Sequence, residues 1–295
     1  MYRLWHKNSG MKMPDDKSGK VRIMRIGSRD FATTGHTYIM GILNVTPDSF
    51  SDGGKFNQMD AALKHAEEMI ADGAAILDIG GESTRPGYTK ISDEEEISRV
   101  VPVIEAVKKE FDIPISVDTY KSCVAKVAAE AGADLINDIW GLKYDDHMAD
   151  VIAKSGLACC LMHNRDNAEY QNFMEDMKQD LRETIALAKA AGIEDDKIIL
   201  DPGVGFAKSY ENNLEVIRRL KEFNELKYPV LLGTSRKSVI GLTIDLPAAE
   251  RVEGTLVTTV MAVEADCMFV RVHDVKENYR AIQMTEAILY GKKKI

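Results

Sequence analysis

Cysteine is scarce in this chain, with four residues in 295, at Cys123, Cys159, Cys160 and Cys267. Two of them are adjacent in an apolar run and none forms a Cys-x-x-Cys pair. A disulfide framework and a cysteine zinc site are therefore not expected, and a reducing compartment is. Long apolar runs are missing as well. None approaches the roughly 20 residues that a membrane helix needs. Lys, Arg and Asp punctuate the first 30 residues, where a signal peptide would require an apolar stretch. The sequence thus reads as a soluble, cytoplasmic protein with no membrane partner. An excess of positive charge is also lacking, since the formal net charge is −9. Nucleic acid is not expected as a partner, because sequence-independent binders neutralise phosphates with a basic surface. Small anionic substrates stay open, as a few cations in one cleft can outweigh a negative average.

What is present is the balance of a globular protein, 45% hydrophobic and 29% charged, in a chain long enough to bury a large core without staples. Residues 1–36 are polar and irregular and read as an N-terminal extension with a short hairpin. Residues 37–295 read as one domain in which short apolar runs alternate with segments of helical period. The runs are 38–43, 76–79, 115–117, 135–136, 157–162, 198–200, 230–232 and 269–272. Helical patterns fall near 59–72, 93–110, 122–131, 146–154, 173–191, 210–223, 248–263 and 278–290. Ser92 with Glu95 forms a capping box, and Lys108 and Lys109 near the end of that helix suit its dipole. Gly73, Gly132, Gly156 and Gly192 stand where helices should stop. Continuous apolar strands alternating with helices predict a parallel sheet covered on both faces. Eight such units fit a closed (β/α)8 TIM barrel of the α/β class. A doubly wound open sheet is the structural alternative, because a strand count does not prove closure.

The strongest signal lies where the apolar runs stop. In chain order they end in Asn44, in 80–85, in Asp118, in Asn137-Asp138, in His163-Asn164, in Asp201-Pro202-Gly203, in 233–238, and through Arg271 in His273-Asp274. In a βα barrel all these ends converge on one mouth. Asp118, Asn137 and Asp201 are acceptor-rich and suit a planar ligand edge presenting several N–H donors, such as an aminopyrimidinone. Arg85, Arg236, Lys237, Arg271 and His273 are clamps for phosphate or carboxylate. The residues imply a ligand that is a donor-rich heterocycle at one end and an anion at the other. Singly, each piece is weak. Asp201-Pro202-Gly203 is a common turn and Asp118-Thr119 could be a helix cap. Residues 203–208 lack the third glycine of a dinucleotide fingerprint, and Arg236 stands where a P-loop needs glycine. His163 and His273 lack metal-site spacing, and His65 and His147 read as surface or packing residues.

Residues 42–54 closely resemble the first signature of the dihydropteroate synthase family, and 78–87 resemble the second. Ser116-Val117-Asp118-Thr119, Ile136-Asn137-Asp138, residues 201–206, Ser235-Arg236-Lys237-Ser238 and Arg271-Val272-His273-Asp274 follow in the family's order, so that the similarity covers roughly residues 38–290. The resemblance implies condensation of 6-hydroxymethyl-7,8-dihydropterin pyrophosphate with p-aminobenzoate by SN1-like loss of Mg²⁺-bound pyrophosphate. It assigns Asp118, Asn137, Met162, Asp201, Phe206 and Lys237 to the pterin, and Asn44, Arg271 and His273 to the pyrophosphate. Asn44 would also be a ligand to Mg²⁺. Phe50, Thr84, Arg85, Pro86, Lys237 and Ser238 would bind p-aminobenzoate. Asp52, Asp118, Asp201, Lys237 and Arg271 would be the catalytic groups. Gly53 and Gly54 leave the first loop free to act as a lid. A homodimer through the later helices and competition by sulfonamides are further implied. Two alternatives remain: a pterin-dependent methyltransferase, and a paralogue that binds pterin without turnover.

Overall fold

The computed structural model describes residues 22–46, 55–83 and 90–291. The described part of the N-terminal extension is an antiparallel hairpin of β1 (Ile23–Ile26) and β2 (Arg29–Ala32). Eight strands follow: β3 (Tyr38–Asn44), β4 (Ile76–Gly80), β5 (Ile115–Asp118), β6 (Leu135–Asp138), β7 (Ala158–Met162), β8 (Ile198–Asp201), β9 (Leu231–Leu232) and β10 (Phe269–Val272). Each pairs in parallel with its neighbours in the order β8-β7-β6-β5-β4-β3-β10-β9. The two ends of that order meet. Leu200 bridges to Val230 in parallel, and Leu200 N donates to Pro229 O at 2.9 Å. The sheet is a closed barrel, and the open-sheet alternative is excluded.

Why the strands are so largely apolar follows from closure, which buries both faces. One parity, including Leu77, Ile79, Val117, Ile136, Leu161, Leu200 and Val270, packs outward in the large core shared with the helices. The other parity points into the barrel. Its lower layer is Met40, Ile76, Leu135, Cys160, Ile199, Leu231 and Phe269. Without a cover this layer would meet water at the N-terminal end of the barrel. The hairpin supplies the cover through Met24, Ile26 and Phe31, all buried, with the Phe31 ring 5.5 Å from that of Phe269. Burying each such side chain is worth roughly 1.5–3 kcal/mol.

Nine helices surround the sheet among the described residues: α1 (Lys55–Ala71), α2 (Asp93–Glu110), α3 (Ser122–Glu130), α4 (Met148–Ser155), α5 (Phe173–Ala190), α6 (Tyr210–Arg218), α7 (Ser238–Ile244), α8 (Val252–Glu264) and α9 (Val275–Tyr290). Half of the expected capping box forms: Ser92 Oγ accepts from Glu95 N at 3.2 Å, while the Glu95 carboxylate turns to Arg99. The four glycines expected to end helices all have positive φ. Two expectations are corrected. The helical pattern over 210–223 breaks at Arg219, and Leu220–Leu226 is a 3-10 helix. Its buried residues Leu220, Phe223 and Leu226 recur every third position, the period of a 3-10 turn rather than of an α-helix. Helix α7 lies outside the expected helical patterns, because about two turns rich in β-branched residues carry little helical signal.

Candidate active site

Inside the barrel the inward parity changes character two residues above the apolar layer. From Ile76 it passes to Asp78 and Gly80, from Leu135 to Asn137, from Ile199 to Asp201, and from Phe269 to Arg271 and His273. Strand register then brings distant residues level. Asn44 pairs with Gly80, Gly80 with Asp118, and Asp118 with Asn137, so four neighbouring strands deliver these positions to one height.

Two glycines stand against the polar side chains where these meet. A Cβ at Gly80 would touch Asn44 Oδ1 at 3.6 Å and Asp118 Oδ2 at 3.8 Å. A Cβ at Gly233 would touch Asp201 Oδ2 at 3.6 Å, Lys237 Nζ at 3.8 Å and Arg271 Cβ at 3.9 Å. Arg271 joins the two halves, with Nε 2.5 Å from Asp78 Oδ2 and Nη2 2.6 Å from Asp118 Oδ2. Asn137 Nδ2 donates to Asp78 Oδ2 at 3.4 Å. Asp118, Asn137, Asp201, Lys237, Arg271 and Asn44, separated by up to 227 positions (271 − 44), therefore converge at one end of the barrel.

The electrostatics of this cluster are set by burial. Two adjacent carboxylates, Asp78 and Asp118, are tolerated because one guanidinium serves both. Their other oxygens, Asp78 Oδ1 and Asp118 Oδ1, are buried with no hydrogen-bond partner among the described residues. A buried acceptor of that kind costs about 1–3 kcal/mol, which a ligand's N–H group would recover. Burial pushes Asp118 up to about 7, against the pull of Arg271 and helped by Asp78. Burial likewise lowers Lys237 to about 8, opposed first by Asp201. Asp201 is raised by burial, and its Oδ1 accepts from Gly203 N at 2.7 Å.

Apolar walls flank these groups. Met162 packs with Tyr120 and Ile139, and with Trp140 and Phe206 at the margin. Lys237 Nζ lies 4.8 Å over the Phe206 ring and donates to Val204 O at 2.5 Å. His273 Nδ1 is 3.0 Å from Ser235 Oγ, which also accepts from His273 N at 3.2 Å. Ser238 is exposed at the start of α7. Phe50, Asp52, Thr84, Arg85 and Pro86 lie outside the described residues, as do Gly53 and Gly54.

Some polar strand ends do other work. Arg236, read as an anion clamp, gives its guanidinium to Asp274, with Nε 3.0 Å from Oδ2. Asp138 accepts from Trp140 N at 2.8 Å and Leu142 N at 2.7 Å and so closes its own turn. Asp78 was missed, because only residues following the apolar runs were weighed and Asp78 is inside one. Its signal was parity, since it lies two residues beyond inward-facing Ile76.

Gly203 has φ +67°, and a Cβ there would collide with the backbone carbonyl of His163. Gly203→Ala is expected to cost several kcal/mol, combining left-handed strain of roughly 1–2 kcal/mol with that contact. Thermal unfolding measures it; an unchanged midpoint would show that the turn is adaptable.

Comparison with known proteins adds to this geometry. The model of a family described as pterin binding enzyme matches residues 40–273. A curated dihydropteroate synthase of Clostridium beijerinckii is 63% identical over 267 residues, covering 90% of this chain and 99% of that one. A dihydropteroate synthase from Clostridium difficile, crystallised in the presence of pteroic acid, is 52% identical with TM-score 0.85, covering 87% of this chain and 98% of that chain. The Yersinia pestis dihydropteroate synthase in a sulfonamide drug complex is 41% identical with TM-score 0.85, covering 91% and 99%.

Proposed function

This chain belongs to the dihydropteroate synthase family of pterin-binding enzymes and is a transferase of that family, and on that premise we propose how its own residues divide the reaction. The substrates are 6-hydroxymethyl-7,8-dihydropterin pyrophosphate and p-aminobenzoate, and the products 7,8-dihydropteroate and pyrophosphate. The observation that carries this reading is the pair of buried carboxylates with unpartnered oxygens, beside Asp201 and Lys237, at one end of the barrel.

Asp118, Asn137 and Asp201 accept the N–H edge of the pterin, Lys237 donates to the ring, and Met162 and Phe206 pack on its faces. Nε and Nη2 of Arg271 are spent on Asp78 and Asp118, and its Nη1 acts on the pyrophosphate together with His273 and Asn44. The donor set suits Mg²⁺ brought in with the substrate. Asn44 offers one hard carbonyl oxygen, no cluster of three His, Cys, Asp or Glu exists among the described residues, and such an ion keeps water and phosphate oxygens as its other ligands. When bound it would share the charge of the leaving pyrophosphate.

The C–O bond to pyrophosphate breaks with its electron pair leaving on oxygen, and the methylene carbon becomes a cation conjugated with the ring. Asp118 and Asp201 offset the positive charge spreading into the heterocycle. The neutral arylamine nitrogen then forms the C–N bond and loses a proton to solvent. It needs positioning more than a strong base. On the resemblance, Phe50, Thr84, Arg85, Pro86, Lys237 and Ser238 build the arylamine subsite, and Asp52 supports the closed first loop.

The test is pyrophosphate release with and without p-aminobenzoate. Release is expected to require both substrates, to stop on chelation of Mg²⁺, and to be inhibited by sulfonamides competitively with p-aminobenzoate. Tight pterin binding with no release would instead identify a non-catalytic binder. A homodimer is supported by exposed Leu242, Ile244, Val257, Met284 and Ile288 on α7, α8 and α9. Val257→Lys with Ile288→Lys is expected to convert a sedimenting dimer to monomer; a wild-type monomer refutes the assembly.

A further inference from the structure

Behind Asp201 lies a second set of charges that the proposed reaction does not consume. The side chain of His163, at the end of β7, is fully buried. Its Nδ1 is 3.0 Å from Lys208 Nζ and its Nε2 is 2.8 Å from Asp180 Oδ2. An ammonium can only donate, so Nδ1 is the acceptor and Nε2 carries a proton, which it donates to Asp180. Burial lowers this imidazole to about 4, which keeps it in that neutral form. Asp180, on α5, is gripped from the far side by Arg165 through Nε at 2.6 Å and Nη2 at 3.1 Å.

Lys208 has two further acceptors, the carbonyls of Gly203 and Phe206, both at 2.9 Å. These belong to the loop between β8 and α6. No regular ladder satisfies that loop, so its backbone groups must find other partners. Val204 O accepts from Lys237, Ala207 O accepts from Tyr170 Oη at 2.8 Å, and Gly205 N donates to Asn213 Oδ1 at 2.6 Å. Lys208 holds two positions of the loop at once, one beside Asp201 and one at Phe206. The charged groups around it are Asp201, Lys237, Asp180 and Arg165. Placing an ammonium in this half-buried position is costly, and burial lowers it to about 7. A loop held only for stability would be held more cheaply by neutral donors.

We infer that Lys208, oriented by His163 and Asp180, is a positioning residue that fixes the Asp201 carboxylate and the Phe206 ring at their pterin-binding separation before the substrate arrives. The inference rests on the pterin reading of the site. Lys208 touches no substrate in this arrangement. Its effect passes through the loop, where small displacements of a binding group are costly.

The experiment measures the affinity for unreactive 6-hydroxymethylpterin by calorimetry, KM for p-aminobenzoate at saturating pterin pyrophosphate, and the thermal midpoint. The variants are Lys208→Met, His163→Leu and His163→Gln in the full chain. Lys208→Met and His163→Leu are expected to weaken pterin about tenfold to a hundredfold, the scale of a misplaced binding group. KM for p-aminobenzoate is expected to change less than about twofold, since the arylamine makes no contact with this loop in the proposed site. His163→Gln, whose amide can accept from Lys208 and donate to Asp180, is expected to restore most of the affinity. Lowered midpoints with unchanged pterin affinity overturn the inference and leave a purely structural network. If Lys208→Met does not fold, equal pterin affinity in His163→Leu and His163→Gln overturns it as well. A wild-type chain that binds no pterin overturns the underlying reading instead, and so is distinguishable.

Discussion

Arg271→Ala is expected to lower the thermal midpoint by roughly 10 °C near neutral pH, the equivalent of about 3–5 kcal/mol for breaking a buried ion pair. The side chain is mostly buried and serves two carboxylates, so its loss strands both Asp78 and Asp118. The pH dependence gives the sign. Asp118 is already held well above its ordinary range, so folding takes up a proton between about pH 4 and pH 7 and ionised Asp118 costs stability as pH rises through that window. Removing the guanidinium deepens this cost. The variant's deficit should be small near pH 5, where the carboxylates can take protons, and largest above pH 7. A deficit independent of pH would mean that lost packing, not stranded charge, dominates. In kinetics the same variant is expected to raise KM for the pterin pyrophosphate far more than KM for p-aminobenzoate; equal effects would remove Arg271 from the pyrophosphate.

Asp201→Asn is expected to weaken pterin binding about tenfold to a hundredfold, the range for losing a hydrogen bond to a charged group. The substitution is nearly isosteric, and an amide oxygen can still accept from Gly203 N, so the turn should survive. What is lost is charge. Asp201 is also the group that most supports the Lys237 ammonium against burial, so Lys237 should fall below its value of about 8 in the variant. Pterin affinity in Asp201→Asn is therefore expected to decline with rising pH at a lower pH than in wild type. Calorimetry across pH 6–9 reads both effects. Unchanged affinity would remove Asp201 from the ring.

The barrel was legible because closure demands apolar runs of a fixed kind, and Ile115–Asp118 or Phe269–Val272 carry no competing helical period. Helix α7 and the turn at Arg219 were not legible, because their form is imposed by packing on neighbours rather than by local propensity. For the site, polar residues after each strand pointed to Asn44, Asp118, Asn137, Asp201 and Arg271, which do converge. Arg236 looked equivalent to Lys237 in sequence, yet its positive φ of 59° belongs to a turn in which the guanidinium reaches Asp274. Asp78 needed strand parity, and Lys208 needed the fold. Its partner His163 lies 45 positions earlier on another strand's end, Asp180, which orients that histidine, is on α5, and no spacing rule links the three.

In this account the unpartnered Asp118 Oδ1, together with Asn137 and Asp201, accepts the pterin's N–H edge. A crystal structure of the chain soaked with 6-hydroxymethylpterin tests it most directly. The ring's N–H edge is expected within hydrogen-bond distance of Asp118, Asn137 and Asp201, with the Lys237 ammonium donating to the ring next to Asp201. A pterin bound elsewhere, with Asp118 Oδ1 still unpaired, would contradict the account.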